Sequence, residues 1–112
     1  MADDRSRLLG EARSAIKTGR PAEAVALLER WLARRQDDAT AWALLAAAQS
    51  EAGDWTGAEV AARRVVHLMP NSPRAWANWG VTLRKLDRID EAEKAQRKAL
   101  SLDPRNETAR RE

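Results

Sequence analysis

His67 is the first place to look for chemistry in this 112-residue chain, which holds one His and no Cys. An imidazole titrates near neutrality, but without a thiolate or a second imidazole it makes neither a zinc constellation nor a Cys-His pair. His67 lies near the end of a helical stretch, where it is expected to face solvent and to favour the helix C-terminus as a cation. Asp37, Asp38, Asp90, Glu91 and Glu93 stand at chain breaks and helix starts, so they read as caps and solvated faces rather than as an acid-base pair. No Ser has a nucleophile-elbow context, and the Gly residues are too scattered for a phosphate loop. Asn106, Glu107 and Thr108 form a glycosylation sequon that carries no weight without a secretion signal. The expectation is a binding protein, not an enzyme, with no metal and no cofactor.

Composition narrows the class further. Lys and Arg number 20 and Asp and Glu 17, so the formal charge is only +3. Nucleic-acid binding needs a concentrated basic stripe, which a bare excess of three does not supply, so nucleic acid is not an expected partner. The pairs Arg34 with Arg35, Arg63 with Arg64 and Arg110 with Arg111 read as solvated outer surface. No run approaches the roughly 18 apolar residues of a membrane span, and MADDRSRLLG lacks the apolar stretch of a signal peptide. With no Cys, the chain suits a reducing compartment, and a cytoplasmic protein with no membrane association is expected.

The elements that would position a binding site are helices. Apolar residues recur at helical spacing over 6–18, 21–35, 39–52, 55–68, 73–86 and 89–102. Gly19 and Gly53 suit the left-handed turn that follows a helix, and Pro21 and Pro73 suit a first helical position. Asp37 or Asp38 and Ser72 are N-cap candidates, Pro70 and Pro104 are stops, and Asn106 could cap one more short turn. Residues 1–5 are polar and are expected to fray.

These helices repeat. Moving the window over 73–106 back by 34 places Trp76 on Trp42, Gly80 on Ala46, Ala92 on Ala58, Leu102 on Leu68 and Pro104 on Pro70. Such fixed-period similarity means an array of stacked units. The unit resembles a tetratricopeptide repeat, carried here by Trp76, Trp79, Gly80, Leu83, Ala92, Gln96 and Pro104, and again by Trp42, Leu45, Ala46, Gln49, Ala58, Ala62 and Pro70. A weaker copy over 5–38 has Leu8, Ala12, Gly19 and Ala24 but ends in Gln36 where Pro is usual. The resemblance implies an all-α solenoid: one domain over 1–112 with repeats at about 5–38, 39–72 and 73–106 and a tail of 107–112. Its six helices and a short C-terminal turn would form a right-handed superhelix. Trp42 and Trp76 are expected to be heavily buried, with Trp55 and Trp79 nearer the surface. Gln96, at a usually aromatic position, is expected to give the last helix a polar outer cap.

The side of each first helix opposite the signature positions is then free of packing. It comprises Leu9, Arg13, Ile16 and Lys17 in the first unit, Ala43, Leu44, Ala47 and Glu51 in the second, and Arg74, Ala77, Asn78, Val81, Arg84 and Lys85 in the third. In the resembling family this stripe lines a concave groove for a partner's peptide or helix. An apolar floor with cations at Arg13, Lys17, Arg74, Arg84 and Lys85 favours a protein or peptide partner with acidic and apolar groups. Members that grip the C-terminal carboxylate of heat-shock chaperones use a Lys and an Asn on the first helix, an Asn on the next first helix and basic residues on the third. Here those places hold Leu9 and Arg13, Leu44, and Arg74 and Asn78, so only Arg74 fits, which argues against a chaperone co-factor. The alternative is a self-associating structural module, a homo-oligomer, or a fragment of a longer array.

Overall fold

Six helices form in the computed structural model, which describes residues 2–105: α1 Ala2–Lys17, α2 Pro21–Arg34, α3 Ala39–Glu51, α4 Trp55–Leu68, α5 Pro73–Lys85 and α6 Ile89–Leu102. There is no strand among the described residues, and the short turn expected after Asn106 lies outside them. The N-caps are local. Asp38 accepts from the Ala41 N–H, Asp54 from that of Gly57 and Ser72 from that of Ala75, satisfying donors that a helix start leaves unpaired.

Expected fraying at the N-terminus gives way to helix from Ala2. Asp38 supplies the reason: Arg5 donates to it through Nε at 2.7 Å and Nη2 at 3.0 Å, tying the first turn of α1 to the start of α3.

Each helix pair turns at the same place, 34 residues apart, with positive φ at Gly19 (76°), Gly53 (80°) and Asp87 (62°). The first two are glycines, for which this conformation carries no Cβ penalty, whereas Asp87 bears one. Asp87→Gly is therefore expected to raise stability by about 1 kcal/mol, read as a higher urea midpoint at unchanged slope.

Successive helices pack on one another, leaving α1, α3 and α5 in one layer and α2, α4 and α6 in the other. The seams are narrow because small residues line them: Ala12, Ala24, Ala58 and Ala92 are fully buried. At Gly80 a Cβ would stand 2.9 Å from the Gln96 Cγ and 3.3 Å from the Ala92 carbonyl oxygen, so the closeness of α5 and α6 depends on its absence.

Trp42 and Trp76 are half-buried rather than heavily buried. Each turns its indole N–H toward a loop carbonyl, Trp42 to Gln36 O at 2.8 Å and Trp76 to Pro70 O at 2.7 Å. Only the backbone oxygen is used, so Gln36 serves where the next repeat has Pro70. Trp76 packs against three separate apolar clusters, centred on Val65 with Val66, on Ala77 with Ala99, and on Leu83 with Ala92 and Ala95. Trp55 and Trp79 are half-buried too.

Gln96 does not form a polar outer cap. It is only 5% exposed, turned onto Gly80 with Oε1 accepting from Arg84 Nη2 at 3.1 Å, because a long polar chain fills the space left by an absent aromatic ring. Glu59 is the other buried polar surprise. It is 5% exposed, accepts from Trp79 Nε1 at 2.9 Å and pairs with Arg63 at 3.3 Å and Arg88 at 3.5 Å. One residue thereby links α4 to α5 and to the start of α6.

Candidate functional site

The inner layer of α1, α3 and α5 carries the stripe singled out in the sequence, but its two halves differ. Leu9 is not free: it is 3% exposed and joins the cluster of Leu28, Leu32 and Leu45. Ile16 and Leu44 are half-buried against the same cluster. The physical reason is that α1 and α3 approach within 8 Å, backbone to backbone, while α3 and α5 do so nowhere. A shift of 34 explains the contrast. Leu9 becomes Ala43 and Leu44 becomes Asn78, so two leucines close the first seam and two smaller or polar residues leave the second open.

Ala43, Ala47 and Glu51 of α3 are exposed, as are Arg74, Asn78 and Lys85 of α5. Val81 is half-buried. Ala77, expected on the free side, is fully buried against Ala99. Arg84 is half-buried and donates to Gln96, so it belongs to the packing of α5 on α6 rather than to the groove. Arg13 and Lys17 remain exposed on α1.

Electrostatically the stripe is cationic, with Arg13, Lys17, Arg74 and Lys85 against Glu51. Lys85 is also oriented: its ammonium lies 5.5 Å from the centroid of the Trp55 ring, within cation–π range. Cations beside small apolar side chains make this surface complementary to an anionic, partly apolar segment. Among the described residues, no three His, Cys, Asp or Glu side chains converge as a metal site requires, and no helix is long and apolar enough to cross a membrane. His67 is exposed.

A depression of about 600 Å³ lies at the repeat junction, lined by Arg5, Trp31, Arg35, Asp37, Asp38, Ala39 and Thr40. Arg5, Asp38 and Arg35 are already engaged. Asp38 accepts from Arg5, from Trp31 Nε1 at 2.9 Å and from the Ala41 N–H, and Arg35 stacks on Trp31 at 5.7 Å. The Arg5 hydrogen bond foremost, helped by those of Trp31 and Ala41 against the effect of burial, holds the Asp38 carboxyl at about 2. Sequence reasoning found Asp38 as a cap and missed it as a junction, since nothing local marks a partner 33 residues away.

Helix pairs repeating every 34 residues with a Trp-to-loop hydrogen bond conserved between the second and third units set the frame for comparison. The tetratricopeptide repeat model matches residues 9–73, more than half of the chain, and a second model of the same description matches 73–106. The chain belongs to the tetratricopeptide repeat family. Its fold is that family's all-α solenoid. It superposes on the first tetratricopeptide domain of the human RPAP3 protein with TM-score 0.84 at 21% identity, covering 93% of this chain and 82% of that one. For the Sgt2 tetratricopeptide domain from Aspergillus fumigatus the TM-score is 0.87 at 19% identity, with 96% and 73% covered. The first such domain of Spaghetti, bound to the HSP90 peptide SRMEEVD, matches with TM-score 0.86 at 21% identity, with 93% and 82% covered. No curated protein is significantly similar to this tetratricopeptide chain in sequence.

Proposed function

We propose that this tetratricopeptide domain is a non-enzymatic scaffold whose inner trough captures a segment of a partner protein carrying acidic and apolar side chains. The observation that carries the reading is the open seam between α3 and α5, where Ala43 and Ala47 are uncovered and Arg74, Asn78 and Lys85 stand along one wall. Small apolar residues admit a partner's side chain, and the surrounding cations favour its carboxylates. The Spaghetti domain holding an acidic peptide on a similar fold supports the reading. A carboxylate-end grip of the kind described for chaperone partners lacks two of its donors here: Leu9 and Leu44 occupy those places and pack in the α1–α3 seam. The partner segment is therefore gripped through its side chains.

The test uses Ala47→Glu and Arg74→Ala, both at exposed positions, with a panel of acidic and apolar peptides measured by fluorescence anisotropy. Each change is expected to weaken capture about tenfold, a loss of about 1.4 kcal/mol, while melting stays within about 0.5 kcal/mol of wild type. Peptide binding that survives both substitutions unchanged rules out the trough.

A further inference from the structure

A net charge of +3 argues against a polyanionic partner only if the charges are evenly spread, and the fold sorts them. α2, α4 and α6 are the second helices of successive pairs, so residues 34 apart occupy equivalent places in consecutive repeats. Arg30, Arg64 and Lys98 share one such place, and Arg63 and Arg97 share the one before it. All are exposed except Arg64, which is half-buried. Acids are few along this row: Glu29 is exposed, Glu59 is buried beneath Trp79, and Glu93 is paired with Arg97 at 3.5 Å. The other exposed acids of these helices, Glu23, Asp90 and Glu91, lie in the first turns of α2 and α6. Complementing the helix dipole explains a last-turn cation such as Arg34. It does not explain Arg30, Arg64 and Lys98, which lie one turn further in.

Depressions open among these cations, and their rings are recessed. One of 540 Å³ runs between α2 and α4, walled by Glu29, Ala33 and Arg64 and floored by Trp42 and Leu45 of α3. A second, of 270 Å³, continues from Trp42 and Arg64 to Val60, Arg63 and His67. A third, of 530 Å³, lies beside Trp31 and Arg30. The Arg64 guanidinium sits 5.9 Å from the Trp42 ring centroid, and its Nε–H is shut from solvent without an acceptor. Swinging outward to an anion would give that donor a partner and uncover the indole face at the same time.

We propose that this outer face binds single-stranded nucleic acid, with phosphates along Arg30, Arg64 and Lys98 and bases stacked in the depressions at Trp42 and Trp31. A row of cations flanking aromatic rings is what an unpaired strand requires, since every base has a face to stack and no base edge need be read. A duplex keeps its bases from the recessed rings. An anionic membrane calls for several apolar side chains that project beyond the cations; among the described residues the exposed large ones are Val60 and Met69, each 48% exposed, and of these Val60 lines a depression.

The experiment measures anisotropy of fluorescein-labelled oligothymidylate and oligouridylate of about 20 nucleotides, enough to cross a site of this class, between about 50 and 200 mM salt. Expected are binding with quenched Trp fluorescence and a log–log salt slope of about −2 to −3, corresponding to three or four phosphates at about −0.7 each. Arg30→Glu combined with Lys98→Glu, both exposed, should weaken binding more than tenfold and flatten the slope by about 1.4 without shifting the melting temperature. Arg74→Ala, on the inner face, should leave oligonucleotide binding unchanged while weakening peptide capture. No binding at the lower salt, binding indifferent to the double reversal, or loss of binding in Arg74→Ala each overturns the proposal. So does equal affinity for a duplex of the same length without Trp quenching. Sedimentation with phosphatidylserine vesicles in preference to the oligonucleotide, abolished by the same double reversal, assigns the face to a membrane instead.

Discussion

Asp38→Ala is expected to destabilise the domain by about 2–3 kcal/mol, because it removes a helix N-cap and leaves the Trp31 indole donor without its acceptor. Asp38 accepts two hydrogen bonds from Arg5, one from Trp31 Nε1 and one from the Ala41 N–H, so a single carboxylate joins α1, α2 and the start of α3. Truncation leaves an indole N–H and a helix-start donor unpaired and releases the N-terminal turn of α1. In a chain of this size the melting temperature should fall by on the order of 10 °C.

The same carboxylate produces an acid-sensitive step. Its folded value of about 2 lies below the ordinary 3.8. A depressed carboxyl contributes stability that is fully present above the unfolded value and is lost as pH falls through the folded one. The window is therefore about pH 4 down to about pH 2. Because the Arg5 side chain is 43% exposed and screened by water, the contribution is on the order of 2 kcal/mol. Urea titrations at pH 7, 4 and 2 on wild type and Asp38→Asn test it: the variant should be less stable at neutral pH and show a smaller decline into acid. A parallel decline in both proteins would show that other carboxylates carry the acid response.

Trp76→Ala is the second large effect, with an expected loss of about 3 kcal/mol. A Trp-to-Ala change in a core costs about 3–5 kcal/mol, and Trp76 belongs at the lower end because it is half-buried. It is nonetheless placed to couple the second and third repeats, since its ring touches the Val65 and Val66 cluster of α4 as well as both clusters between α5 and α6. Trp76→Phe separates ring from N–H. Keeping most of the apolar contact while losing the hydrogen bond to Pro70 O should cost about 1 kcal/mol. Equal losses in Ala and Phe variants would show that the hydrogen bond, and not the ring, holds the repeats together.

Much of this architecture was legible from residue order. The 34-residue step, the extents of α4 and α6 and the caps at Asp38 and Ser72 could be read directly, because helix propensity, capping and positive-φ turns act over a few residues. Asp87 was less visible: it takes the same turn without being Gly. Leu9 and Leu44 show where local reading fails. Their spacing puts them on the stripe opposite the Trp positions, yet the approach of α1 to α3 draws Leu9 into the interior and packs Leu44 half-buried against it, and the same stripe one repeat later has Ala43 and Asn78 exposed.

By itself, the sequence determined a three-unit tetratricopeptide stack and its inner and outer helices, since these follow from short-range preferences repeated at a constant interval. Tertiary structure decided which seam of the inner face is closed, that Asp38 reaches Arg5 and Glu59 reaches Trp79, and that Arg64 lies over the Trp42 ring. Such pairings depend on the rotation and closeness between repeats, which side-chain size at the seams sets, and not on any property a residue carries alone.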